Sequence, residues 1–146
     1  MIKSVLSICG LIFLFASCAS TNQYVKQAHS KQQSENTATV YVVRTNNFGS
    51  AIKFKIYQDD KLVGKLGPKS YLAWNVDCSK GEFTVVSKSE NKDMVRINPQ
   101  PGKTYYIKQK VKAGVIIARS GLEFISEEEA TEYLTQLKEP KMKYAE

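Results

Sequence analysis

The sequence predicts a mainly β domain, an antiparallel β-sandwich of about seven to nine short strands closed by one C-terminal helix. Three observations predict it. From Val40 to Ile125, short apolar or alternating runs recur, separated by turn-forming Gly, Pro, Asn and Asp. No long segment within that block repeats its apolar residues at helical spacing. From Ser126 onward the period changes to that of a helix. Strand periodicity fits a closed or half-open barrel equally well.

Each element has its own signature. Val40–Thr45 (VYVVRT) is largely apolar, as a strand covered on both faces would be, and Asn46–Ser50 is a loop. Ile52–Tyr57 alternates, placing Ile52, Phe54 and Ile56 on one face and Lys53, Lys55 and Tyr57 on the other. Gln58–Lys61 reads as a hairpin turn leading into Leu62–Leu66, which Gly67-Pro68 ends. Ser70–Val76 carries the lone tryptophan, Trp74, expected in the core. Phe83–Val86 and Met94–Ile97 follow, before the Pro99–Gly102 break. Thr104–Val111 alternates Tyr105, Ile107 and Val111 against Tyr106, Lys108, Lys110 and Lys112. Gly114 bends the chain before two last strands, Val115–Ala118 and Leu122–Ile125. Ser126-Glu127-Glu128-Glu129 is an S-x-x-E capping box, and Ala130, Tyr133, Leu134 and Leu137 then form one apolar stripe that Pro140 stops. This helix is expected at an edge or end of the sandwich, shielding strand hydrogen bonds.

The N-terminus has a different character. Lys3 precedes a mostly apolar run, Val5–Ala16, of 12 residues, against the ~20 a helix needs to span a bilayer. That layout reads as a secretory signal. Its ending, Phe15-Ala16-Ser17-Cys18, resembles the lipobox of bacterial lipoproteins, in which the cysteine is diacylated on sulphur and becomes the new N-terminus. An ordinary secretory signal cleaved after Ala16 or Ala19 is the alternative. Ala19–Ala38 is polar and lacks any apolar period, so it reads as a tether with a root-mean-square reach of roughly 25 Å. The expected divisions are 1–17 signal peptide, 18–38 lipidated cysteine and tether, 39–125 sandwich, and 126–146 helix and tail. By the same resemblance, Ala19 in place of an aspartate favours the outer membrane, and the absence of an acidic run after Cys18 favours its periplasmic leaflet. Cys9 leaves with the signal and Cys18 takes lipid, so Cys78 alone remains and no internal disulfide forms.

Charge is uneven. The chain carries +7 overall. Thr39–Ile125 holds 15 Lys/Arg against 7 Asp/Glu, whereas Ser126–Glu146 holds 3 against 6. A basic body suits an anionic partner, namely nucleic acid, lipid headgroups or polyanionic glycans, and the export signal argues against nucleic acid. Lys53 and Lys55, with Tyr57 beside them, share one strand face; Lys108, Lys110 and Lys112, with Tyr106, share another. If those strands neighbour each other, five ammonium groups and two phenols form one surface for phosphates or carboxylates of lipid, lipopolysaccharide or glycan. A solvated outer sheet face that resists aggregation is the alternative.

Catalysis and cofactors find little support. The only histidine, His29, lies in the tether, which leaves the folded block without the base of a Ser or Cys nucleophile and without a His-rich zinc set. There is no P-loop and no Rossmann glycine fingerprint. Asp59-Asp60, Asp77, Glu82 and Asp93 sit in or beside predicted turns, and Glu127–Glu129 suit a helix N-terminus. No catalytic residue, metal ligand or cofactor is assigned.

From Ala38 to about Leu137, the order of features resembles a bacterial envelope domain family catalogued only as a domain of unknown function and common in predicted lipoproteins. The resemblance rests on Val40–Arg44, the Tyr57–Gly64 hairpin, Ser70-Tyr71 before the Trp74 strand, Lys80–Phe83, Gly102–Tyr106 and the Ser126–Leu137 helix. Ser79-Lys80-Gly81 stands where the family usually has a Pro-Gly turn. The resemblance implies a small sandwich like PEGA-like and transthyretin-like modules, with no catalytic residue. Arg44 and Tyr105 match recurring positions, where buried hydrogen bonding and ligand binding are both open. The expected protein is a non-enzymatic, membrane-anchored envelope lipoprotein that binds an anionic component. Its alternatives are an assembly partner of another envelope protein, joined by strand addition, and a carboxylate-dependent glycan-active enzyme.

Overall fold

The computed structural model describes residues 35–137. They form eight strands and one helix: β1 (Thr37–Arg44), β2 (Phe54–Gln58), β3 (Lys61–Leu66), β4 (Ser70–Asp77), β5 (Phe83–Lys88), β6 (Lys92–Ile97), β7 (Thr104–Ala113), β8 (Ala118–Phe124) and α1 (Glu127–Gln136). The strands make two four-stranded sheets, in the orders β4-β1-β7-β8 and β3-β2-β5-β6. The predicted mainly β architecture with a C-terminal helix is therefore the observed one.

Three details of the expectation are corrected. The sheets are not wholly antiparallel, because β1 and β7 pair parallel, Thr39–Val43 against Thr104–Lys108. Alternation fixes which face a side chain takes but not which way the neighbouring strand runs. Val115–Ala118 is not a strand: Val115, Ile116 and Ile117 form an exposed bend, and β8 starts only at Ala118. The amides there are taken by a carboxylate, described below, so the run has no ladder to join. The helix packs on a sheet face, not an edge or end.

The core explains the sequence of β1. As a central strand, it points Val40 and Val42 into the space between the sheets, where they meet Leu72, Trp74 and Ile107 of their own sheet and Ile56, Val85 and Ile97 of the other. Tyr41 and Val43 point outward into a second cluster with Tyr71 and Ala73, which Tyr133, Leu134 and Leu137 of α1 cover. Val40–Val43 is continuously apolar because both faces of β1 are buried there. The Trp74 indole donates 2.9 Å to Gln58 Oε1, satisfying its polar edge inside the core. α1 begins as predicted, with Ser126 Oγ accepting 3.1 Å from the Glu129 amide.

One side of the sandwich is closed by side chains. Asn91 both accepts 2.7 Å from the Ser120 amide and donates 2.8 Å to its carbonyl. Asp93 Oδ2 accepts 2.6 Å from the Leu122 amide, and Ser89 Oγ donates 2.8 Å to the Ala118 carbonyl. The free edge of β8 is thereby capped from the other sheet, the protection that an edge strand needs. No helix among the described residues is long and apolar enough to cross a membrane.

Candidate anion-binding surface

The five lysines singled out in the sequence do not form one surface. Lys55 lies on β2 and Lys53 just before it, in the second sheet, whereas Lys108, Lys110 and Lys112 lie on β7, in the first. Both groups face outward, so they look away from each other across the sandwich. Neighbouring strands were the condition for a joint strip, and the strands belong to different sheets.

Two of the β7 lysines are already engaged. Lys108 Nζ donates 3.0 Å to Glu129 Oε1 and 2.7 Å to the Tyr133 hydroxyl, which itself donates 2.8 Å to Glu129. The Tyr133 hydrogen bond and then Glu129 raise the Lys108 pKa, while Lys108 above all lowers that of Glu129. This group ties α1 to the sheet beside the Tyr41–Tyr106 stack, whose ring centroids are 5.4 Å apart. Burial of Tyr41 pushes its phenol up to about 12. Lys110 pairs with Glu123, and Lys112 stands opposite Arg119 near the end of the β7–β8 hairpin.

The β2 lysines have better company. Lys55 is paired in register with Lys65 on β3 and Lys88 on β5, and Lys88 with Lys92 on β6. Four lysines thus form one row across all four strands on the outer face of the second sheet. At ~4.8 Å per strand the row is about 15 Å long. Directly opposed like charges destabilise a sheet, and among the described residues no carboxylate lies within 4.0 Å of the Lys55, Lys88 or Lys92 ammonium. The contact that eases the crowding is a cation–π one, with Lys88 Nζ 4.3 Å from the centre of the Tyr57 ring. The next row inward is apolar, Leu62, Tyr57, Val86 and Met94, with Met94 43% exposed.

Lys65, Lys88 and Lys92 were missed in the sequence. A regular hairpin around Asp59-Asp60 sets Lys55 opposite Gly64; a bulge between Ile56 and Tyr57 shifts the partner to Lys65. Lys88 and Lys92 flank a short turn, and extending both predicted strands by two residues toward it would have revealed their pairing.

Arg44 and Tyr105 are structural. Arg44 is fully buried and has no carboxylate partner among the described residues. Its guanidinium donates to the carbonyls of Ile52 (2.7 Å), Phe48 (2.8 Å), Gly49 (3.0 Å) and Leu66 (3.4 Å) and lies 5.0 Å over the Phe54 ring. Burial lowers its pKa. It thus gathers the 45–53 loop around itself. The Tyr105 hydroxyl donates 2.9 Å to the Asn98 carbonyl and accepts 3.1 Å from the Gln100 amide, fastening the Pro99–Pro101 loop.

The acidic side chains also have local partners. Asp59 accepts from Thr84, Asp77 caps the 3₁₀ turn Cys78–Lys80, and Glu82 faces Arg96 at 3.8 Å. Glu90 accepts 3.0 Å from the Val115 amide and 3.4 Å from those of Ile116 and Ile117, which lowers its pKa. Cys78 is half-buried, and burial raises its thiol pKa. Among the described residues no three His, Cys, Asp or Glu side chains are gathered as a metal site. Cys18 and His29 lie outside the described residues.

No family model matches the chain, and no solved structure matches it. The chain is similar to an uncharacterized protein of Haemophilus influenzae (strain ATCC 51907 / DSM 11121 / KW20 / Rd), 28% identical over 136 residues that cover 90% of this chain and 80% of that protein.

Proposed function

We propose that this chain is a non-catalytic envelope module, tethered to a bacterial membrane through Cys18, whose second sheet binds an anionic envelope component. The observation that carries the reading is the Lys65–Lys55–Lys88–Lys92 row. Aligning Lys55, Lys88 and Lys92 with no carboxylate at salt-bridge distance among the described residues opposes folding, and α1 covers the other sheet while leaving this face open. A phosphate array, as in lipopolysaccharide or a headgroup layer, supplies the missing countercharges. The N-terminal run ending at Cys18 supports export and acylation. Asp59, Asp77, Glu90 and Asp93 hold backbone amides, which favours binding over acid–base chemistry. Strand addition by a partner protein at β8 would have to displace Ser89, Asn91 and Asp93.

The test is binding of the full chain to soluble inorganic polyphosphate as salt is varied. Replacing Lys55, Lys88 and Lys92 together by glutamine weakens binding at least ~10-fold and flattens its salt dependence, as expected when released counterions drive association. Lys80→Gln with Lys103→Gln leaves the affinity unchanged. Equal affinity of the two variants contradicts the assignment.

A further inference from the structure

The bend between β7 and β8 presents Val115, Ile116 and Ile117 to solvent at 83, 86 and 59% exposure. Three consecutive branched aliphatics at a hairpin tip contribute nothing to this core, yet their backbone is held in place. Glu90 accepts all three of their amides, and Gly114 leaves room for it, since a β-carbon there would lie 1.9 Å from Glu90 Oε2. A segment entering hydrocarbon must satisfy its own backbone donors, and these three already have an acceptor.

The surroundings are cationic. Lys112 and Arg119 face each other one residue pair below the last pair of the hairpin, Ala113 and Ala118. Glu90 itself lies in the turn between Lys88 and Lys92, which places that end of the lysine row beside the tip. Because β1 and β7 run parallel, the 45–53 loop emerges at the same end, carrying Phe48 at 57% exposure, and its Gly49 abuts Val111. An apolar point flanked by Lys112, Arg119, Lys88 and Lys92, with the Glu90 carboxylate taken up by the tip amides, complements an anionic bilayer surface, with side chains below the headgroups and ammonium groups among the phosphates.

We infer that the Val115–Ile117 tip inserts into the interface of an anionic lipid bilayer. The inference rests on the reading of an exported, tethered chain and names the lipid surface as its anionic partner. The chain enters β1 at the opposite end of the sandwich, but the 16 residues from Ala19 to Ser34 span up to about 55 Å when extended. That exceeds the ~33 Å length of β7, so the tip reaches the bilayer that holds the anchor.

The experiment places Ile116→Trp in the full chain and incorporates it into vesicles with brominated acyl chains, made either of phosphatidylglycerol and phosphatidylcholine or of phosphatidylcholine alone. The buried Trp74 provides a constant background. The introduced indole is expected to shift to the blue and be quenched on the anionic vesicles, and less so on the neutral ones. Flotation with the vesicles while the indole stays water-exposed overturns the inference and leaves the tether intact. It would assign the tip to a protein or to a second copy of the chain. Absence of acylation overturns the tether, and the tip is then read by adding the Cys18→Ala chain to the same vesicles. There, replacing Val115, Ile116 and Ile117 by serine lowers partitioning on the order of 100-fold. An unchanged partition coefficient overturns the inference.

Discussion

Arg44 gives the sharpest stability prediction, because it is a buried cation whose hydrogen bonds among the described residues go to carbonyl oxygens. Three of its hydrogen bonds, to Ile52, Phe48 and Gly49, are 2.7–3.0 Å long, and the fourth, to Leu66, is 3.4 Å. Bonds from a charged donor contribute about 1.5–3 kcal/mol each, but desolvating a guanidinium costs several kcal/mol in return. Arg44→Leu removes both sides of that balance. The carbonyls of the 45–53 loop can turn to water, whereas that of Leu66 is buried with Arg44 Nη1. The net loss is about 2–4 kcal/mol, which for a domain of this size lowers Tm by about 10–25 °C. Arg44→Lys is the more telling variant. A lysine keeps the charge but loses the planar fork that reaches several carbonyls at once. It therefore destabilises the domain at least as much as leucine does. Urea unfolding followed by Trp74 fluorescence measures both. Full rescue by lysine, or a leucine variant within ~0.5 kcal/mol of the parent, refutes the carbonyl-cage account.

Two other structural perturbations have defined outcomes. The Glu129 carboxyl is held below its ordinary value, chiefly by Lys108, so its contribution to docking α1 is present above the unfolded carboxylate pKa and is lost as pH falls through the lower folded value. Lys108, raised by Tyr133 and Glu129, contributes below the ordinary lysine pKa, and that contribution is lost as pH rises through the raised value. Tm measured against pH is expected to fall at both limbs, and Glu129→Gln flattens the acid one; an unaltered acid limb contradicts the tie. Gly114→Ala drives a β-carbon against Glu90 Oε2 and brings it to 3.0 Å from the Ala118 α-carbon. It should release the Val115–Ile117 amides to hydrogen exchange at least ~10-fold faster while shifting Tm by only a few degrees. Unchanged exchange would show that Glu90 does not hold the tip.

Much of this architecture was legible because it depends on local pattern. The largely apolar run Val40–Thr45 predicted a strand covered on both faces, and Val40 and Val42 do face the other sheet while Tyr41 and Val43 face α1. Ser126 and the Ala130–Leu137 stripe predicted the helix start and its buried side. What the pattern could not convey was long-range. Parallel pairing of β1 with β7 leaves every face assignment unchanged, and nothing local states that β2 and β7 join different sheets. The candidate surface failed at that point, since Lys53 and Lys55 point away from Lys108, Lys110 and Lys112. The bulge that puts Lys65 opposite Lys55 has no turn residue to announce it beyond Gly64. Val115–Ile117 has the composition of a strand and became a bend because a distant carboxylate, Glu90, took its amides.

The claim that the lysine row serves binding and not folding is tested most directly by Lys55→Glu, measured for stability and polyphosphate affinity on the same preparation. The substitution replaces the like-charge pairing of Lys55 with Lys88 by an opposite-charge one. A higher Tm at low salt together with at least ~10-fold weaker polyphosphate binding is expected. A lower Tm, or a stabilised domain that binds polyphosphate as tightly as before, contradicts the claim.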